Sequence, residues 1–226
     1  MIAARTDFET TGEMRIYGET LAGVHREAYS DTFAPGFEWL AREVAATSPD
    51  PRLFDAGCGD GAWLRYAKKA GIKGCGLDRS AAFVKMACAR GLKVSHGDLC
   101  GADIPAGVTA VTALGEVLAY EPSALWPFSE AVARSLPTGG VFLLDLVSPR
   151  CRARTVRVQG SDWSLDVDIT LSGDWLVRRI DVLTGGKRVS ETHYQRLFVA
   201  DEVRSGLEAR GFSVDILSAY GPCALL

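Results

Sequence analysis

The chain is predicted to be an α/β protein: a Rossmann-like, doubly wound and mostly parallel sheet with an N-terminal helical lid and an inserted antiparallel β-meander. Three observations predict it. Short apolar strands alternate with amphipathic helices over residues 49–149, the pattern of a parallel sheet covered on both faces. A glycine-rich turn, Asp55-Ala56-Gly57-Cys58-Gly59-Asp60-Gly61, joins the first of these strands to the helix that follows. After Pro149 the apolar period changes from helical to alternating and stays so for about fifty residues.

Along the chain, Tyr17, Leu21, Val24 and Ala28 recur at helical spacing over residues 14–29, with His25 on the edge of the same face. A second helix over about 37–46 leads into Pro49-Asp50-Pro51, a loop. Strands are expected over 52–55, 74–78, 93–95, 109–114 and 141–147, with helices near 63–70, 81–90 and 123–136 between them. In the meander, Trp163, Leu165, Val167, Ile169 and Leu171 fall on one side of a strand; Ser172-Gly173-Asp174 turns into a second over 175–182; Gly185-Gly186 turns into a third over about 188–198. The arginine-rich stretch before it, Arg150-Cys151-Arg152-Ala153-Arg154-Thr155-Val156-Arg157, reads as a solvated loop in preference to an anionic-acceptor site. The last helix, over 201–210, has Asp201 as its N-cap and Gly211 as its stop. A sixth strand is expected over 213–218. Only Tyr220 to Leu226 then remain for a seventh, which is expected to be short or missing, with an incomplete sheet edge.

The turn carries the chemistry. Gly57, Gly59 and Gly61 have no Cβ to block tight chain reversal or the approach of an adenosine-bearing ligand to the main chain. Gly57, Gly59 and Ala62 also satisfy the pattern of dinucleotide binders. Asp55 argues against a pyrophosphate, which its carboxylate would repel, and for a ligand bearing an ammonium group, such as S-adenosylmethionine. Asp78, followed by Arg79, ends a second strand where it can accept hydrogen bonds from two ribose hydroxyls, a role NAD would satisfy equally. Asp98-Leu99 follows the third strand and offers a carboxylate to an adenine amino group and an apolar side chain to its ring. Cys58 fills the turn beside the ligand. Three acids at successive strand ends favour S-adenosylmethionine over NAD.

At these residues the chain resembles the class I S-adenosylmethionine-dependent methyltransferases. Asp55 through Gly61 is similar to the family's first motif, Asp78 to its ribose-binding acid, Asp98-Leu99 to its adenine-contacting pair, and Leu114-Gly115-Glu116 to the end of its fourth strand. Leu136-Pro137-Thr138-Gly139-Gly140 resembles the turn into its fifth strand. The resemblance implies that Tyr17, in the lid, reaches the methionine carboxylate. The inserted sheet resembles in layout that of sugar amine N-methylating enzymes, which implies an acceptor pocket roofed by residues 150–198. The layout then divides one domain into a lid (1–48), a cofactor-binding core (49–149), the roof, and a final helix and strand (199–226).

Methyl transfer needs a base only where the acceptor must lose a proton. Glu116, His193, Tyr194 and His25 are the candidates; His193, on an alternating strand, points either into the roofed pocket or to solvent. The acceptor is expected to be a small molecule carrying an amine or hydroxyl. An NAD(P)-dependent oxidoreductase and a non-catalytic adenosine-ligand protein are the alternatives. A net charge of −3 over 226 residues argues against a nucleic-acid partner, and no Asn/Asp-Pro-Pro-aromatic sequence follows the fourth strand. No apolar run is long enough to span a bilayer, and the N-terminus lacks the apolar core of a signal peptide. Cys58, Cys75, Cys88, Cys100, Cys151 and Cys223 lack zinc-like spacing, so no metal is expected; reduced thiols in the cytoplasm are.

Overall fold

The structure, a computed structural model, describes residues 16–29, 33–217, 219–220 and 223–224. Helices α1 (Glu19–Tyr29) and α2 (Ala34–Ala46) precede five parallel strands: β1 (Arg52–Ala56), β2 (Lys73–Asp78), β3 (Val94–His96), β4 (Ala110–Ala113) and β5 (Val141–Leu144). These lie in the order β3-β2-β1-β4-β5. Between them run α3 (Ala62–Lys69), α4 (Ala81–Ala89), the single turn α5 (Val117–Tyr120) and α6 (Leu125–Ser135). Successive strand side chains point to opposite faces, so Leu53 and Ala110 meet α2 and α3, while Phe54, Val111 and Ala113 meet Phe128 and Val132 of α6. The chain order reverses between β1 and β4, the place where open α/β sheets bind ligands.

The inserted sheet is a four-stranded antiparallel meander of β6 (Arg154–Gln159), β7 (Trp163–Ser172), β8 (Trp175–Thr184) and β9 (Lys187–Arg196). Leu165, Val167, Ile169, Leu176, Ile180 and Val182 form its inner face and pack on Leu21 and Val24 of α1, Ala119 and Val147. Helix α7 (Ala200–Glu208) then returns to the core through Val203 and Leu207.

Several boundaries differ from the expectations. The N-terminal helix starts at Glu19, and Tyr17 lies before it with φ of 56°; Met14 and Arg15 fall outside the described residues. Tyr17 leaves the helical path because its N–H is taken by Glu191 and its carbonyl by Ser80. The meander has four strands, not three. Its extra member is β6, drawn from the arginine-rich stretch read as a loop, because Val156 and Val158 alternate with polar residues and pack inward. Strand β5 stops at Leu144, where Asp145 turns its carboxylate to the backbone N–H groups of Gly115 and Glu116. The helix expected over 123–136 begins at Leu125, after α5 and a 3₁₀ turn.

Asp201 is not the cap of α7. Val199 holds that position without a side-chain bond, and Asp201 sits in the first turn, where its charge meets the positive helix end. Residues 212–217 form no strand. Phe212 and Val214 pack on the core, with the Phe212 ring 5.8 Å from that of Phe142 on β5, but no ladder forms alongside. Beyond them, β10 (Ala219–Tyr220) pairs only with β11 (Cys223–Ala224).

Candidate active site

A cavity of about 450 Å³ lies between the carboxyl ends of the parallel strands and the inner face of the inserted sheet, within the size range of small-ligand pockets. Tyr17, His25, Asp55, Gly57, Cys58, Gly59, Asp78, Arg79, Leu99, Leu114, Gly115 and Glu116 line it. Those are twelve of the sequence candidates. Gly61 does not line it; it starts α3. Asp98 stands beside it, exposed and ion-paired with Arg79 at 3.5 Å, while its neighbours Gly97 and Leu99 face the cavity.

The turn after β1 shows why glycine is required. At Gly57, with φ of +73°, a Cβ would sit 2.3 Å from Val117 Cγ1, so the turn closes directly on the segment after β4. At Gly59, with φ of +55°, a Cβ would meet nothing within 4 Å, leaving main chain open to a ligand. Gly57→Ala combines left-handed strain with a steric clash, and is expected to destabilise the protein by about 2 kcal/mol or more. Urea unfolding measures it; an unchanged midpoint would contradict the close approach of Val117.

Asp78 holds the turn as well as facing the cavity. It accepts from Gly59 N–H at 2.7 Å and from Ser80 N–H at 2.8 Å, and Ser80 caps α4 by accepting from Phe83 N–H. Asp55 is buried and accepts from Thr112 Oγ1 at 2.6 Å. Burial outweighs that bond and pushes its carboxyl up to about 7, with the Asp78 charge adding to the rise. Burial also raises Asp145, to about 6, and keeps the Cys58 thiol protonated. His25, among the rings of Tyr17, Tyr29 and Phe83, is lowered to about 4, first by burial, and is neutral at pH 7.

Glu116 follows β4 with φ of 62°, a backbone conformation unusual for a side chain of its size. Its backbone N–H donates to Asp145 Oδ1 at 2.6 Å. Its Oε2 accepts from Arg178 Nη2 and from Gln195 Nε2, both at 2.7 Å. Oε1 has no partner among the described residues. Arg178 also donates to Tyr120 Oη at 3.4 Å, and the Tyr120 and Tyr17 hydroxyls are 3.5 Å apart.

His193 points inward and is wholly buried. It lies behind the cavity wall, not on it: Nε2 is 2.9 Å from Glu191 Oε2, and the ring packs on Tyr17. Glu191 also accepts from Tyr17 N–H at 2.8 Å and Gly18 N–H at 2.9 Å, so the sheet grips the strap before α1. Tyr194, one residue on, projects to the opposite face of β9 and does not line the cavity. Arg178, Glu191, Gln195, Tyr120 and Asp145 escaped the sequence reading. For three of them a signal existed: Arg178 occupies the apolar phase of β8, and Glu191 and Gln195 share the inward phase of β9 with His193.

The comparisons with known proteins agree with this geometry. The profile of the methyltransferase-domain family matches residues 29–216. The chain belongs to that family, and its fold is that of the class I S-adenosylmethionine-dependent methyltransferases. No curated protein sequence matches it significantly. Among solved structures, a S-adenosylmethionine-dependent methyltransferase from Clostridium acetobutylicum is 15% identical with a TM-score of 0.76, over 91% of this chain and 92% of that one. A sugar N-methyltransferase from a Streptoalloteichus species is 24% identical with a TM-score of 0.70, over 88% and 89%. An amino pentose methyltransferase of Micromonospora echinaspora, involved in calicheamicin biosynthesis, is 21% identical with a TM-score of 0.68, over 88% and 91%. These likenesses establish the fold.

Proposed function

We propose that the protein transfers a methyl group from S-adenosylmethionine to the amine of a small metabolite bound under the inserted sheet. The cavity suits that cofactor. Gly59 leaves main chain open, buried Asp55 and Asp78 offer carboxylates at two strand ends, and Tyr17 and His25 close the lid side. When bound, S-adenosylmethionine supplies a methyl on a sulfonium sulfur, already activated for in-line displacement.

The chain's residues supply alignment, water exclusion and a place for a proton. Asp78 receives ribose hydroxyls, Leu99 meets the adenine, and Asp55 receives the ammonium. Glu116 Oε1 takes the proton that the acceptor N–H must shed, while Arg178 and Gln195 hold Oε2. That fixed, half-free carboxylate facing the cavity is the observation that carries the proposal. An amine is favoured over a hydroxyl by the sugar N-methyltransferase and amino pentose methyltransferase among the similar structures. In this reading residues 49–149 bind the cofactor and 150–198 roof the acceptor. His25 and Tyr194 have no chemical role, and His193 acts through Glu191. Free thiols at Cys58, Cys75, Cys88, Cys100 and Cys151 fit a reducing compartment such as the cytoplasm. No helix among the described residues is long and apolar enough to cross a membrane.

Calorimetry tests the cofactor assignment: S-adenosylhomocysteine is expected to bind and NAD not. Asp55 adds a pH signature. With its folded value near 7 and the ordinary value at 3.8, the unliganded fold holds a proton between these limits that an unfolded chain has lost. Asp55 therefore makes stability fall as pH rises from 3.8 to 7, and levels off above. An ammonium beside it favours the carboxylate, so binding is expected to release a proton near pH 6 and to tighten from pH 5.5 to 7.5. Titration in two buffers of different ionisation enthalpy reads that proton; its absence would remove Asp55 from the ammonium site.

A further inference from the structure

We infer that the acceptor carries an anionic group, a phosphate or carboxylate, received by Arg154 on the inner face of the inserted sheet. This rests on the reading of the cavity as a methyl-transfer site and adds the class of acceptor. In the sheet register, Arg154 pairs with Ile169, Ile169 with Arg178, and Arg178 with His193. These four side chains form one row across the face turned to the cavity. Two of its three polar members are engaged: Arg178 with Glu116, and His193 with Glu191. Arg154 lines the cavity, and its side chain has no acidic or hydrogen-bonding partner among the described residues.

The contrast with the other face of the same strand is the telling one. Thr155 and Arg157 project outward, and each meets an acid of β7: Thr155 donates to Asp168 at 2.6 Å, and Arg157 lies 3.5 Å from Asp166. Of the other guanidiniums lining the cavity, Arg79 is paired with Asp98 and Arg178 with Glu116. The edge strand thus pairs its one outward charge, Arg157, and leaves the inward one, Arg154, for something that enters. A guanidinium fork suits a carboxylate or phosphate, which it binds through two parallel N–H bonds. Two inter-strand spacings, about 10 Å, separate the backbone of Arg154 from that of Arg178. The acceptor would therefore present its amine to Glu116 and its anion some way off, with Ile169 between.

The test titrates protein saturated with S-adenosylhomocysteine with three probes sharing an amino sugar: glucosamine, glucosamine 1-phosphate and muramic acid, which bears a carboxylate. At least one anionic probe is expected to bind ten times more tightly than glucosamine or better, and which one does so separates phosphate from carboxylate. Arg154→Gln is expected to abolish the preference, Arg157→Gln to keep it, and added salt to shrink it. S-adenosylhomocysteine binding by each variant confirms that it is folded. Equal affinity for charged and neutral probes, no binding by any of them, or a preference that survives Arg154→Gln overturns the inference. Wild-type protein that fails to bind S-adenosylhomocysteine would instead refute the methyltransferase reading on which it rests.

Discussion

Glu116→Gln is expected to lower the methyl-transfer rate at saturating substrates by about two to four powers of ten, with S-adenosylhomocysteine affinity changed less than about threefold. The amide keeps the shape of the carboxylate, and its oxygen can still accept from Arg178 and Gln195. What it loses is the second oxygen: an NH₂ group would face the acceptor, and it can neither receive a proton nor accept a hydrogen bond from an amine. The backbone supports a role of this kind. A glutamate held at φ of 62° is strained by about 1–2 kcal/mol relative to ordinary conformations. It persists because Asp145 binds its N–H and Arg178 and Gln195 bind its carboxylate. Arg178→Met, which frees Oε2 without removing the carboxylate, is expected to lower the rate less than Glu116→Gln and to shift its pH profile. A Glu116→Gln enzyme with a wild-type rate would leave the cavity without a proton acceptor on this segment.

The half of the cavity built on the parallel sheet was legible because local rules write it. Glycines at left-handed positions and acids at strand ends recur at fixed places in alternating strands and helices, so spacing and resemblance pick out Asp55, Gly57, Gly59, Asp78, Leu99 and Glu116, which line the cavity together. The half built on the inserted sheet was not, because its meaning lies in pairings distant in sequence. Glu116 meets Gln195 and Arg178, and Tyr17 meets Glu191, through contacts that no local pattern encodes. The strand that begins at Arg154 was missed for the same reason. A run of arginines looks like a solvated loop until the β6–β7 register sends alternate members to opposite faces. The missing sixth strand marks a second limit. Phe212 and Val214 alternate as a strand should, yet alternation reports only which side chains are buried, not whether a neighbouring ladder exists to pair with.

Replacing residues 154–196 by a short Gly/Ser linker is expected to abolish turnover and also to weaken S-adenosylhomocysteine binding at least tenfold. A roof that shaped only the acceptor pocket would leave cofactor affinity intact, as the sequence by itself suggests. The structure argues otherwise, because Glu191 reaches from β9 to the N–H groups of Tyr17 and Gly18, and Ser80 Oγ, two residues after Asp78, donates to the Tyr17 carbonyl at 2.7 Å. The strap that lines the cavity is clamped between the inserted sheet and the end of β2. Glu191→Ala isolates that clamp. Losing the charged acceptor of two backbone bonds should cost about 1.5–3 kcal/mol, a ten- to hundredfold rise in dissociation constant, with faster cofactor release. His193→Ala should give a smaller change in the same direction, since the ring only steadies the Glu191 carboxylate. Both would be read by stopped-flow release of S-adenosylhomocysteine, and a Glu191→Ala protein that holds it as long as wild type does would show that the strap closes without the roof.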